Sequence, residues 1–555
     1  MKQTTTYTTI LFFIVYFFIK NIEAQEIELK ITSKIKDEQL ILNNIKFKNS
    51  SKDTVFLKKE IDRISNYLKS LGYLSNTYIT KWKSKNELTT YYTLNTKIEK
   101  AIIKVDFNTE NNFKLLKVEK GLIHIPFHKL KKTLTYIYKE LESQGRSFSK
   151  VQLKNINIYN KTLFADLNIN QSKKRTIDKV TIKGYKNFPQ SFIKNYFNLK
   201  SNTVFKQKLI QNISKSTKNI LFVSEIKPPE ILFTKDSTIL YMYLNKVNRN
   251  SFDGNINFAS KENGKLLFNG NINLTLNNIL NKGEKIKLNI NSIEQGKQDF
   301  SLLSEIPYVF NSKISPEFKF LIHKEDSTFL NTKFESKISY QLNQKANIAF
   351  TYNSESSKNI SKLINQNIET FQNYFTGLKF QYKIKKNDYF QNNKLNLEIN
   401  PSIGNRNTDT KNQTQLKIES SISYLWNLNL KNSFFIRNNS GILISDTLLN
   451  NELYRIGGAT TIRGYNEQSL FTDKYSYFNI EYRYLTSLKS YFYTITDIAN
   501  INIDSINKNL LGLGFGYHFT SNNSQINLST VISKNNKQKL NTKNTKLLIS
   551  WRNYF

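Results

Sequence analysis

The chain has no cysteine in 555 residues. That excludes disulfides, thiolate zinc sites, iron–sulfur clusters and cysteine nucleophiles together. It leaves the redox compartment open, since a cysteine-free chain tolerates either. Proline is scarce (7) and histidine scarcer (4), which argues against proline-rich linkers and multi-histidine metal sites. His124 and His128 are four apart, but Pro126 between them disrupts a shared helical face and no third ligand accompanies them. No phosphate-binding loop, Gly-x-Ser-x-Gly elbow or paired acid–base site occurs, so neither an enzyme nor a metal or other cofactor is expected. Beyond residue 24 no run is apolar enough for a transmembrane helix, and any later membrane span must be a β-barrel.

The apolar run that is present covers Ile10–Ile19, behind Lys2 and ahead of Ala24. Ten apolar residues fit a signal-peptide core and fall short of a bilayer span, so 1–24 reads as a signal peptide and the chain as exported. Lys and Arg number 81 against 43 Asp and Glu, a net charge of +38. An excess of that size raises nucleic-acid binding. Here the lysines are spread along the whole length among many asparagines, without a basic stripe or a nucleic-acid motif. A compositional bias explains them, and no nucleic-acid partner is expected. The 39 Phe and 31 Tyr, in a chain of negative mean hydropathy, point to abundant β structure.

Residues 25–246 repeat. Leu57, Ile61, Ile64, Leu68 and Leu71 form one apolar helical face, closed by Gly72 as a C-cap. Leu130, Leu134, Ile137 and Leu141 form a second, stopped by Gly145. Phe205, Leu209, Ile213 and Ile220 mark a third, with Asn219 where the glycine would be, asparagine being the other residue that tolerates a left-handed cap. Each unit opens with a strand (26–32, 101–107, 179–183) and closes with two more (78–82 with 89–94, 151–158 with 162–169, 225–233 with 238–244). Pro189 is placed to start an additional helix over 190–197. The order strand–helix–helix–strand–strand in about 70–75 residues resembles the POTRA module. The resemblance implies modules at 25–98, 99–172 and 173–246, each a mixed sheet with both helices on one face and one edge free for a guest strand.

From residue 247 the helical pattern stops and alternating segments take over, such as Ile286, Leu288 and Ile290 against Lys285, Lys287 and Asn289. A soluble sandwich would turn the apolar face inward, and a membrane barrel would turn it toward lipid. Periodicity does not separate the two. Export, the near absence of covering helices and a terminal strand ending in the aromatic Phe555 favour a barrel over 247–555. Sixteen strands would leave about 19 residues for each strand and its connection.

The segment Gly457-Gly458-Ala459-Thr460-Thr461-Ile462-Arg463-Gly464-Tyr465 resembles the signature on the long sixth extracellular loop of the Omp85 superfamily. Around Glu481, around Asp497, and over Gly512, Gly514 and Gly516, the sequence resembles the family's next three strands. Ala499 stands where a glycine is usual. An arginine on a loop flanked by Gly464 can fold back and reach wall carboxylates, and a guanidinium makes bidentate bonds that a lysine cannot copy. The resemblance implies that Arg463 anchors the loop in the lumen through Glu481 and Asp497. It also implies a fold of α+β POTRA repeats followed by an all-β transmembrane barrel of 16 antiparallel strands, in the bacterial outer membrane with the repeats in the periplasm.

Two functions follow from that resemblance. One is an assembly factor, with POTRA edges receiving unfolded outer-membrane clients and a weakly paired seam between the first strand (253–260) and the last (546–555) templating insertion. The other is a two-partner-type translocation channel for a secreted client. Three repeats favour assembly, and a passive porin would need none. The partners implied are unfolded outer-membrane or secreted proteins, outer-membrane lipids, and periplasmic or lipoprotein accessories.

Overall fold

The computed structural model describes residues 26–106, 116–260, 266–293, 297–361, 367–386, 392–503, 506–535 and 545–555, with Phe113, Asp388 and Phe390 singly. The expected signal peptide, 1–24, lies outside the described residues. The chain divides into two compact units, one of residues up to Thr176 with Val204–Gln207, the other of Ile177–Thr203 with Lys208–Phe555.

The first unit holds two α/β modules. In one, strand Ile27–Thr32 runs parallel to Glu87–Thr93, which pairs antiparallel with the outermost strand Thr77–Ser84. Helix Thr54–Leu71 buries Leu57, Ile61, Ile64 and Leu68 against Leu29, Leu88 and Tyr92 of that sheet, the face its 4-3-4 spacing describes. Asp53 caps its start by accepting from Val55 N at 2.8 Å, and Gly72 (φ 113°) ends it in the left-handed region. The glycine has a second reason to be there. The linker crosses it, Ile98 N donating to Gly72 O at 2.9 Å, and a Cβ at residue 72 would run into the Ile98 carbonyl.

The other module repeats this device, with Arg175 N donating to Gly145 O at 2.9 Å. It also carries an element the periodicity did not indicate. Between its opening strand Lys100–Lys104 and helix Leu130–Ser143, the described residues form a hairpin, Val118–Glu119 with Leu122–Pro126. Ile123 buries into the core from that hairpin, so an added strand covers the Lys100–Lys104 edge; most of 107–115, where the first helix is expected, lies outside the described residues.

The second unit opens with a three-stranded sheet of Lys179–Gly184, Thr238–Lys246 and Val223–Phe233, with helices Gln190–Asn195 and Gln207–Thr217. Asn219 is not left-handed, contrary to expectation. The chain leaves the helix through two consecutive tight turns (Asn219 N to Ser216 O, 2.9 Å; Ile220 N to Thr217 O, 3.0 Å), which need no such residue.

Sixteen antiparallel strands then close a barrel. They are β1 Ser251–Ser260, β2 Leu266–Asn277, β3 Lys285–Ile293, β4 Lys297–Glu305, β5 Ile314–Glu325, β6 Phe329–Gln341, β7 Ala346–Asn359, β8 Phe371–Lys385, β9 Asn393–Thr408, β10 Asn412–Asn427, β11 Asn432–Ile444, β12 Lys474–Ser487, β13 Ser490–Ile503, β14 Ile506–Ser521, β15 Ser524–Asn535 and β16 Lys546–Tyr554. The α/β sheet ahead of β1 is stitched to one end of this cylinder. Tyr185 Oη accepts from Asn278 Nδ2 (2.8 Å) and donates to Asn281 Oδ1 (2.7 Å) in the β2–β3 turn. Phe192 packs edge-on to Tyr308 of the β4–β5 turn, and Gln344 of the β6–β7 turn bridges Ser216 and Tyr196.

The side chains answer the question periodicity left open. Phe318, Phe334, Leu378, Phe492 and Phe515 stand exposed on the outside, with Leu378 at 63% and Phe515 at 66%. The alternate positions face inward and are polar: Glu317 pairs with Lys337 (2.7 Å), Lys379 and Lys383 with Glu398 (2.8 and 3.1 Å), and Lys417 with Glu419 (3.4 Å). An apolar exterior around a charged interior is the membrane solution.

Candidate functional site: a loop anchored in the lumen

Between β11 and β12 the chain makes a long excursion, 445–473, whose two arms pair as a short antiparallel ribbon, Tyr454–Ile456 with Leu470–Thr472. At its turn Gly457 (φ 107°) and Gly458 (φ 104°) are both left-handed, and a Cβ on Gly458 would meet the Glu467 carboxylate. That double glycine turns the chain so that 462–465 runs along the lumenal wall. Ile462 is wholly buried among Ile456, Tyr477, Ala499, Ile501 and Leu510. The Ala499 methyl therefore packs against the loop, where a glycine would leave a gap.

Arg463 is the centre of the site. Its backbone N and its Nε both donate to Asp497 Oδ2 at 2.8 Å, and Nη2 donates to Asp497 Oδ1 at 2.6 Å. Nη1 donates to Glu481 Oε1 at 2.6 Å. Glu481 and Asp497 lie on β12 and β13, on the inward face of each strand, and Asp497 has no exposed surface. The other Glu481 oxygen accepts from Arg483 Nε (2.9 Å) and Nη2 (2.7 Å). Arg483 in turn lies 4.3 Å from the Phe435 ring centroid, a cation–π contact. Two guanidiniums thus balance two carboxylates, as burial of these charges requires.

The flanking residues shape the seat. Gly464 (φ 95°) accepts from Ser533 Oγ at 2.8 Å, and Tyr465 Oη is wedged between the Leu511 backbone and the Lys534 carbonyl. On β14 the glycines make room: a Cβ at Gly512 would strike the Arg463 carbonyl, and one at Gly516 the Tyr493 ring. Gly514 sits against the Thr530 carbonyl of β15. Phe555 is elsewhere, exposed at the seam, its N donating to Asn250 O at 3.0 Å. Contrary to the weak pairing expected of it, the seam is paired without a break, from Ser251↔Tyr554 to Phe258↔Leu547, as continuously as β15 with β16. On its lumenal side Arg552 of β16 pairs with Asp253 of β1.

No family model and no curated protein matches the chain. Among solved structures it is similar to CdiB from Escherichia coli (TM-score 0.53, 13% identity, covering 89% of this chain and 96% of that one). It is also similar to CdiB from Acinetobacter baumannii (TM-score 0.52, 14% identity, 77% and 82%). BamA from Haemophilus ducreyi lacking POTRA domains 1–3 aligns at a TM-score of 0.49 with 12% identity, over 82% of this chain and 98% of that one. The fold is that of the two CdiB structures.

Within this fold, three arginines at the loop were given no role by the sequence reading. Arg483 had a readable signal, since it stands two residues from Glu481 and so shares its strand face. Arg437 of β11 holds Asn479 Oδ1 (2.7 and 2.9 Å) and the Thr460 carbonyl (2.9 Å). Arg406 of β9 holds Glu452 at the loop's start. Neither has a partner at a spacing that sequence reveals.

Proposed function

We propose that the chain is an outer-membrane assembly factor whose N-terminal α/β modules are periplasmic POTRA domains. The modules receive unfolded barrel clients on their free sheet edges, the β1–β16 seam opens, and a client strand templates on it. The observation that carries this reading is the loop. With Arg463 bound to β12 and β13, part of the lumen is occupied by the protein's own chain, which favours a route through the wall. No nucleotide is required, because burying apolar strand faces in lipid is itself favourable.

The second reading is a translocation channel for one secreted partner. A cavity of about 370 Å³ in the lumen beside the seam favours it, lined by Asn271, Asn273, Asn289, Asn291 and Gln468 together with the charged Asp253, Asp299, Glu467 and Arg552. The amides can both donate to and accept from a passing backbone. Depletion of the protein followed by outer-membrane and secretome proteomics separates the two. Assembly predicts the loss of many barrel proteins; loss of a single secreted protein with the barrels intact would overturn it.

A further inference from the structure

Besides hydrogen bonds with one neutral partner, such as Arg437 with the Thr460 carbonyl and Gln468 with Asp299 of β4, the loop makes ion pairs with the wall at two places, and the second uses the opposite polarity. At its tip, loop Arg463 enters a pair of wall carboxylates. At its start, a wall arginine takes a loop carboxylate. Arg406 on β9 is 2% exposed, and its Nη1 donates to Glu452 Oε1 and to the Thr447 carbonyl (3.2 Å), while Nη2 reaches Thr447 Oγ1 (3.0 Å) and Gln413 of β10. Gln415, also on β10, donates to the second Glu452 oxygen at 2.9 Å, and Leu449 N donates to the first at 2.9 Å. The neighbouring Asn451 donates to Ser357 Oγ of β7 (2.6 Å), and its carbonyl accepts from Asn331 of β6 (2.8 Å).

An exposed rim pair would contribute little. This one is buried, with both Glu452 oxygens satisfied. Its wall, β6 to β10, is a different one from the β12 to β15 wall that takes Arg463, Gly464 and Tyr465. We infer that Arg406 and Glu452 form a second anchor that makes the loop a bolt across the lumen, so that the lumen opens only when both ends are released. Arg406 and Glu452 act here as positioning residues. The inference concerns closure of the pore and does not rest on the assembly reading, because its test involves no client.

The test is conductance of the full-length protein in a planar bilayer, with heat-modifiable gel mobility confirming a folded barrel for each variant. Wild type, Glu452→Gln and Arg463→Ala are expected to be similarly closed. Glu452→Gln combined with Arg463→Ala is expected to conduct about tenfold more than either alone, a non-additivity that two independent local defects would not give. Glu452→Gln leaves Arg406 buried without its counter-ion. Should the combined variant fail to form a barrel, Arg406→Gln with Glu452→Gln and Arg463→Ala is read instead, since it removes both charges of the second anchor and strands neither. A combined variant no more conductive than Arg463→Ala alone overturns the second anchor.

Discussion

Arg463 shows why one residue type is required at one place. Asp497 presents two oxygens to it and Glu481 a third, and the guanidinium fork, with the Arg463 backbone N, fills all three. A lysine would bring the charge but a single point of contact. Arg463→Ala strands a wholly buried aspartate, and removing one member of such a pair costs about 3–5 kcal/mol. The expected outcome is a folded barrel whose heat-modifiable gel band converts at a distinctly lower temperature, with Arg463→Lys between it and wild type. A wild-type conversion profile for Arg463→Ala would show that the anchor contributes nothing to stability. At this scale the sequence was readable where residues announce themselves by type and turn chemistry, as in the Gly457-Gly458 lead-in. It was opaque where barrel curvature chooses the partner, as with Arg406 and Glu452.

At the scale of elements, the apolar faces of helices Thr54–Leu71 and Leu130–Ser143 follow from 3.6-residue periodicity, because burial against a sheet selects one stripe. The hairpin in the second module does not follow from it. Leu122–Pro126 is five residues long, too short to carry a period, and its pairing with Lys100–Lys104 is a tertiary choice. Asn219 failed for a related reason, since a residue's tolerance of the left-handed region does not oblige the chain to use it. Gly72 is different, being both left-handed and pressed against the Ile98 carbonyl. Gly72→Ala therefore meets backbone strain and a backbone clash together, and is expected to destabilise the first module by more than about 1 kcal/mol. Limited proteolysis of the full-length protein in detergent would show this as faster cutting within 26–98. Lys69→Ala on the exposed side of the same helix serves as the control and should leave the rate unchanged.

For the whole molecule, alternation along strands established a β architecture but was symmetric between a sandwich and a membrane barrel. What breaks the symmetry is which side carries the charges, and that becomes visible only once the strands are curved into a cylinder. The cylinder's one junction between distant parts of the chain is the β1–β16 seam, where Phe252 pairs with Asn553 on the outward face and Asp253 with Arg552 on the lumenal one. Because the chain has no cysteine, Phe252→Cys with Asn553→Cys gives a single disulfide across the seam with no competing thiol. If clients template on the open seam, the oxidised protein loses client assembly and regains it on reduction. If a partner is instead threaded through the lumen, the wall need not part, and the oxidised form should work as well as the reduced one. Equal activity in the two redox states would rule out insertion through the seam and leave the lumen as the route.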